Sequence, residues 1–218
     1  MFNPTRRSRN IGKTQGGRVK DGTAAEKRSR RSPRTLWSRL SEEEHSEGYT
    51  VLSDHPSRDY FHPVSEADIR TTLARMPKRL TRSLRAVLLP RIAAGDVIRG
   101  IEARRRYLCI ILNPFPKTLH QFWTQAPPSE VAIRHYAPWG TTWEQTHKGW
   151  YQIWTLDNLR RYYLYHLLLH ELGHINQPPF NALKRRESFA EDFALTWARR
   201  LGVLPRIRRK KTPPTIVN

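Results

Sequence analysis

Two things are scarce in these 218 residues: cysteine, of which there is one, and acid, with 19 Asp and Glu against 39 Lys and Arg. The lone Cys109 excludes an internal disulfide framework and any metal site built from thiolates. It lies in the apolar run YLCIIL, where a buried structural thiol is expected. No apolar run approaches the roughly 18 residues that a membrane span needs. No apolar stretch follows the basic residues of MFNPTRRSRN, so no secretory signal is read there. A cytoplasmic protein without a membrane partner is the expectation.

The acid deficit is uneven. Residues 1–40 carry a net charge of +10 and residues 199–218 one of +7, which leaves only +3 for the middle of the chain. The first 35 residues are rich in Arg, Ser, Gly and Thr and lack apolar periodicity, so they cannot bury enough surface to offset their ordering entropy. The expected organisation is a basic disordered arm over 1–45, a globular domain over 50–203 and a basic disordered tail over 204–218. Such cationic ends suit either solvated tails or non-specific contact with nucleic acid through counterion release. No helix-turn-helix, finger or RNP pattern accompanies them.

Within the domain, SEADIRTTLARM reads as a helix with Ser65 as N-cap and Asp68 three residues on. LRAVLLP (84–90) and RYLCIILNP (106–114) read as strands, and GDVIRGIEAR as a third strand punctuated by Gly95 and Gly100. The proline-rich 113–130 reads as loop. VAIRHYAP, TTWEQT and WYQIWTL suggest a small antiparallel meander with turns at Pro138-Trp139-Gly140 and His147-Lys148-Gly149. Tryptophans 139, 143, 150 and 154 are expected to pack this region rather than form a stacking platform. Two helices follow, one from an N-cap at Asp157 to about Asn176 and one from Leu183 to Leu201, stopped by Gly202. The layout is α+β.

The first of these helices contains His170-Glu171-Leu172-Gly173-His174. Helix positions four apart are offset by about 40° and rise about 6 Å, so His170 and His174 share a face and can hold one Zn²⁺. Glu171 lies about 100° round, beside the ion rather than on it, where it can take a proton from an activated water. A catalytic zinc normally has a third protein ligand. Glu187, on the second helix, is the candidate. Glu191, one turn beyond, can accept the outer N–H of a ligand histidine. Ala190 and Ala194 would let the two helices approach closely. His166, one turn before His170, is read as a core or cleft-wall residue, since three successive turns cannot reach one ion.

HELGH followed by Glu-x-x-Ala-x-x-Phe-Ala resembles the gluzincin kind of zincin metallopeptidase over about 35 residues. The upstream segment FHPVSEADIRTTLARMPKRLTRSLRAVLL resembles the front of small bacterial proteins with a zincin-like domain. The resemblance implies a mostly antiparallel sheet packed on the active-site helix and the following C-terminal helix. It implies zinc held by His170, His174 and Glu187, with Glu171 as general base and Glu191 supporting a histidine. The gap of 12 residues between His174 and Glu187 is shorter than in better-known gluzincins, which leaves Glu191 or Asp192 as alternate ligand. In the zincin arrangement an edge strand borders the cleft and can pair with an extended peptide. For polarising the substrate carbonyl the chain offers His135, Tyr136, His147 and Tyr151, with Tyr151 or His147 foremost.

The reading is a zinc-dependent metallopeptidase acting on a peptide or protein. Two other readings stand beside it: a nucleic-acid-associated protein whose zincin domain is recruited by its cationic tails, and a zinc-holding scaffold without turnover.

Overall fold

The computed structural model describes residues 36–42 and 48–206. Of the basic arm expected over 1–45, residues 1–35 and 43–45 lie outside the described residues, as do residues 207–218 of the tail expected over 204–218. Residues 36–42 differ from the expected arm: they form helix α1, Leu36–Glu42. Its Leu36 and Leu40, four apart, are both 4% exposed and share a cluster with Leu52, Ala86, Leu88, Cys109 and Ile111. Burying each leucine is worth about 1.5–3 kcal/mol, which is what ties this basic segment to the domain. Arg39 Nη1 adds a hydrogen bond to Ser53 O at 3.1 Å and faces Asp54 at 3.3 Å.

The central sheet contains β1 (Thr50–Ser53), β3 (Ala86–Leu89), β4 (Ala103–Arg106) and β5 (Cys109–Leu112), in the order β1-β3-β5-β4. A mostly antiparallel sheet was expected. Instead β1, β3 and β5 run parallel, and only the edge strand β4 is antiparallel. The sequence carries the reason. AVLL and CIIL are buried at every position, as befits strands covered on both faces. Val87, Leu89, Ile110 and Leu112 face the main core, while Ala86, Leu88, Cys109 and Ile111 face α1, following the two-residue alternation of a strand. Cys109 is free and buried, and burial pushes its thiol up from the ordinary range.

The crossover from β1 passes a short strand β2 (Tyr60–Phe61) and helix α2 (Glu66–Ala74). Ser65 and Asp68 form the expected capping box: Ser65 Oγ accepts the Asp68 N–H at 3.1 Å, and Asp68 Oδ2 accepts the Ser65 N–H at 2.9 Å. A single turn, α3 (Lys78–Thr81), leads to β3. The expected third strand at GDVIRGIEAR is split. Residues Ala94–Arg99 form helix α4, closed by Gly100 in the left-handed conformation (φ 60°), and β4 begins only at Ala103. A glycine at that position ends a helix without the Cβ clash other residues meet.

Residues 113–130, read as loop, contain two strands: β6 (Phe115–Pro116), paired with β2, and β7 (His120–Thr124). VAIRHY is not a strand but helix α5 (Glu130–Tyr136), capped by Ser129, whose Oγ accepts the Ala132 N–H at 3.2 Å. A 3-10 turn (Ala137–Trp139) ends at Gly140. Strands β8 (Thr142–Thr146) and β9 (Gly149–Ile153) then join β7 in an antiparallel sheet of order β7-β9-β8.

The last third is helical. Helix α6 (Leu156–Tyr162) is capped by Thr155, whose Oγ1 accepts the Asn158 N–H at 3.2 Å, two residues before the expected cap at Asp157. It widens into a π-helical turn (Tyr163–Leu167) and continues as α7 (Leu168–Asn176). After the prolines, α8 (Leu183–Arg200) packs back against α7. Ala190, Ala194 and Ala198 are fully buried on its inner face. Leu204, assigned by sequence to the tail, is 7% exposed and joins the core. Among the described residues no helix is long and apolar enough to cross a membrane.

Candidate metal centre

His170 and His174 sit one turn apart on α7, with ring centroids 4.8 Å apart. Glu187 of α8 meets both. Its Oε2 lies 3.5 Å from His170 Nε2 and its Oε1 lies 3.6 Å from His174 Nε2. One ligand atom from each of the three falls within 4.8 Å of the others. These separations exceed a charge-assisted hydrogen bond of about 2.8 Å. They match the spacing of about 3.4 Å between ligands on a tetrahedral ion with bonds of about 2.0–2.1 Å. The donor set therefore fits a divalent cation of the zinc class, and His170, His174 and Glu187 can hold one. Glu187 is 54% exposed, so the centre opens to solvent on that side.

The close approach of α7 and α8 makes this convergence possible. Gly173 faces Ala190 and Phe193 at the crossing, where an added Cβ would come within 3.0 Å of Ala190 Cα. The tautomer of His174 is set by Gln177. With Nδ1–H donating to Gln177 Oε1 at 3.1 Å, the Nε2 lone pair is left facing Glu187. Burial lowers the His174 pKa. Burial also disfavours a charge on His170, but Glu191, Glu171 and Glu187 outweigh it and hold that imidazole above its ordinary value.

Glu171 is 8% exposed. Burial raises its carboxyl to about 7, with His170 and Arg105 opposing and Glu187 reinforcing the shift. A carboxylate poised near neutrality suits a general base. Arg105, on the edge strand β4, donates from Nη1 to the His174 carbonyl at 3.4 Å. It joins the edge strand to the ligand-bearing helix. Sequence reasoning missed this residue, because only the sheet order shows β4 to be the strand beside α7.

Glu191 lies behind His170, its Oε2 3.6 Å from His170 Nδ1, longer than the hydrogen bond expected there. Its surroundings were not expected. The same Oε2 is 3.6 Å from His166 Nε2, and Oε1 is 3.7 Å from His135 Nδ1. His166 is buried at 3% exposure and stacks on Tyr162 at 5.0 Å and 14°. Burial pushes its pKa down to about 3. His135 stands at the end of α5, its ring 4.8 Å from that of His166. Asp192, the alternate ligand, is exposed and belongs to neither cluster.

The favoured carbonyl-polarising residues lie on the β8–β9 hairpin. Tyr151 is on β9, its ring against Phe122 at 5.4 Å, and His147 occupies the turn between β8 and β9. The polar side chains gathered round Glu191 and α7 are instead His135, His166 and Arg105. Tyr136 packs with Trp123, Trp143 and Trp154. Trp139 and Trp154 are core residues. A separate cavity of about 740 Å³ is lined by Tyr60, Glu102, Phe115, Gln121, Phe122 and Trp123 among others, and by none of the histidines or glutamates of the two clusters. The donors converge instead at α7 and α8.

Comparison of the chain with protein-family models, with curated proteins and with solved structures finds no match, so this centre is read from its own geometry.

Proposed function

We propose that the chain is a zinc-dependent hydrolase of peptide bonds. One observation carries the reading: three ligand atoms at cation-binding separation stand beside the buried carboxyl of Glu171. A zinc ion held there supplies Lewis acidity, which polarises a carbonyl and lowers the pKa of water toward neutrality. Glu171 accepts the proton of the attacking water and returns it to the leaving amine. Gln177 keeps His174 in the tautomer that faces the third ligand, and the Glu191 carboxylate stands 3.6 Å behind His170. Strand β4 is an edge strand of the central sheet and packs against α7, a placement that suits pairing with an extended peptide and favours a peptide over a compact small molecule.

The cationic ends support a further part of the proposal: recruitment to nucleic acid without sequence preference. Removing 1–35 and 207–218 is expected to abolish any such affinity and its salt dependence while leaving hydrolysis intact.

The test of the main reading is metal analysis joined to a peptide-library assay. The purified protein is expected to carry zinc and to cleave, and His170→Ala and Glu187→Ala are expected to lose both the ion of this centre and activity. Zinc retained at this centre in both variants would overturn the ligand assignment. Zinc bound with no cleavage of any peptide would overturn the peptidase reading and favour a metal-holding scaffold.

A further inference from the structure

We propose that His135, His166 and Glu191 form a second site for a divalent cation of the zinc class, adjoining the first. The donors come from three separate elements: the end of α5, the π-helical turn and the middle of α8. One ligand atom from each lies within 4.8 Å of the others. The composition, two imidazole nitrogens and one carboxylate, repeats that of the first cluster. It suits zinc and its neighbours in the first transition row rather than calcium or magnesium, which prefer all-oxygen sites.

The distances are too long for hydrogen bonds and leave room for an ion. Glu191 lies 3.7 Å from His135 Nδ1 and 3.6 Å from His166 Nε2. A carboxylate accepting from imidazole would sit near 2.8 Å. The observed values instead repeat the 3.5 and 3.6 Å of the first cluster, near the separation of about 3.4 Å set by two zinc–ligand bonds. If Glu191 served only to orient His170, one imidazole nitrogen would be enough, yet three converge on its two oxygens.

His166 makes the strongest case. Its ring is held between Tyr162, Trp139 and His135 at centroid distances of 5.0, 5.2 and 4.8 Å. Its Nδ1 is buried without a hydrogen-bond partner, and its Nε2 is aimed at Glu191. An apolar side chain would fill this space without burying two nitrogens, and buried polar atoms in folded proteins are rarely left unmatched. A cation at Nε2 would give that nitrogen a ligand bond where its 3.6 Å contact with Glu191 is too long for a hydrogen bond. The π-helical turn, which is frequent at functional sites, is the local distortion that carries His166. His135 and Glu191 keep 34% and 28% side-chain exposure, so the ion has a path from solvent.

The two sites would share a wall, because Glu191 Oε2 is 3.6 Å from both His166 Nε2 and His170 Nδ1. Filling the second site therefore alters the carboxylate that supports a ligand of the first.

The test is metal stoichiometry on the full chain, stripped with chelator and titrated with Zn²⁺ and then Co²⁺, for the unmutated protein, His135→Ala and His170→Ala. His135 is at a helix end and half-buried, so its loss should leave the fold intact, which circular dichroism checks. Two equivalents in the unmutated protein and one in each variant is the expected result. One equivalent that His135→Ala removes and His170→Ala retains would also support the second site, while overturning the zinc site of the proposed peptidase. One equivalent unaffected by His135→Ala, two equivalents retained in it, or no binding at all would overturn the second site. The first of these leaves the peptidase reading standing.

Discussion

Gly173 of α7 and Ala190 of α8 meet backbone to backbone. A methyl group placed on Gly173 would lie 3.0 Å from Ala190 Cα and 3.1 Å from Phe193 Cβ. These contacts are tighter than nine in ten Cβ contacts in folded proteins, and the nearest atom is backbone, which yields less readily than a flexible side-chain end. Gly173→Ala should therefore push α8 outward, although alanine raises helix propensity by about 1 kcal/mol. Overpacking typically costs about 1–3 kcal/mol. A lower melting temperature and weaker zinc affinity are expected together, since Glu187 rides on the displaced helix. Thermal denaturation with a zinc titration checks this, and an unchanged affinity would show that the crossing does not position the ligands.

Glu171→Gln keeps the shape of the side chain and removes its basicity. Hydrolysis should fall by about 10²–10⁴-fold, the range of a lost general base, with bound metal unchanged. Single-turnover assays alongside metal analysis make the comparison. A variant that loses the ion as well would make Glu171 a structural rather than a chemical residue.

Arg105 lowers the pKa of Glu171 by its charge, against the larger effect of burial. Removing that charge raises the carboxyl further. The base must be ionised to act, so the acidic limb of the pH–rate profile should move to higher pH in Arg105→Ala. A limb that stays in place would show that Glu171 does not feel this guanidinium during turnover.

Glu102 offers a test of stability that is independent of the metal. Its Oε2 accepts a hydrogen bond from Tyr162 Oη at 2.8 Å, and its Oε1 is buried without a partner. Burial pushes this carboxyl from an ordinary 4.5 to about 7. Below the unfolded value both states are protonated and nothing is lost. Between that value and about 7 the folded state holds a proton that the unfolded chain has released, so stability falls as pH rises. The loss levels off above about 7, at about 3 kcal/mol for a shift of this size. Glu102→Gln removes the ionisation and can still accept from Tyr162. It should gain stability at pH 8 and little at pH 4.5, as urea denaturation at the two pH values would show.

Legibility in the sequence followed the range of the interactions. The Ser65–Asp68 capping box and the helix bearing HELGH are local, and local pattern sufficed for both. The β-branched and aromatic character of VAIRHY pointed to a strand, but the Ser129 cap and the packing of Tyr136 against Trp123, Trp143 and Trp154 made it a helix. That reversal is what places His135 near His166. The second cluster joins positions 135, 166 and 191, which no spacing rule links. The parallel pairing of β1, β3 and β5 was equally hidden, although the unbroken apolar runs of β3 and β5, buried on both faces, carried a hint of it.

The short gap between the two helices left three carboxylates of α8 as possible third ligands, and geometry now separates them. Glu187 spans His170 and His174 at 3.5 and 3.6 Å. Glu191 stands on the far side of His170. Asp192 is exposed, about 100° round the helix from Glu191. Asp192→Ala should leave zinc affinity unchanged. Glu187→Ala should weaken it by at least the roughly 10–100-fold typical of losing even a supporting residue. Glu187→Asp sharpens the comparison, because it keeps the charge but draws the carboxylate back by one methylene. Zinc–oxygen bonds of about 2.0–2.2 Å leave little slack for such a retreat, so this variant should resemble the alanine rather than the unmutated protein. Competition against a fluorescent chelator would measure all three. A large loss in Asp192→Ala with none in Glu187→Ala would reassign the third ligand.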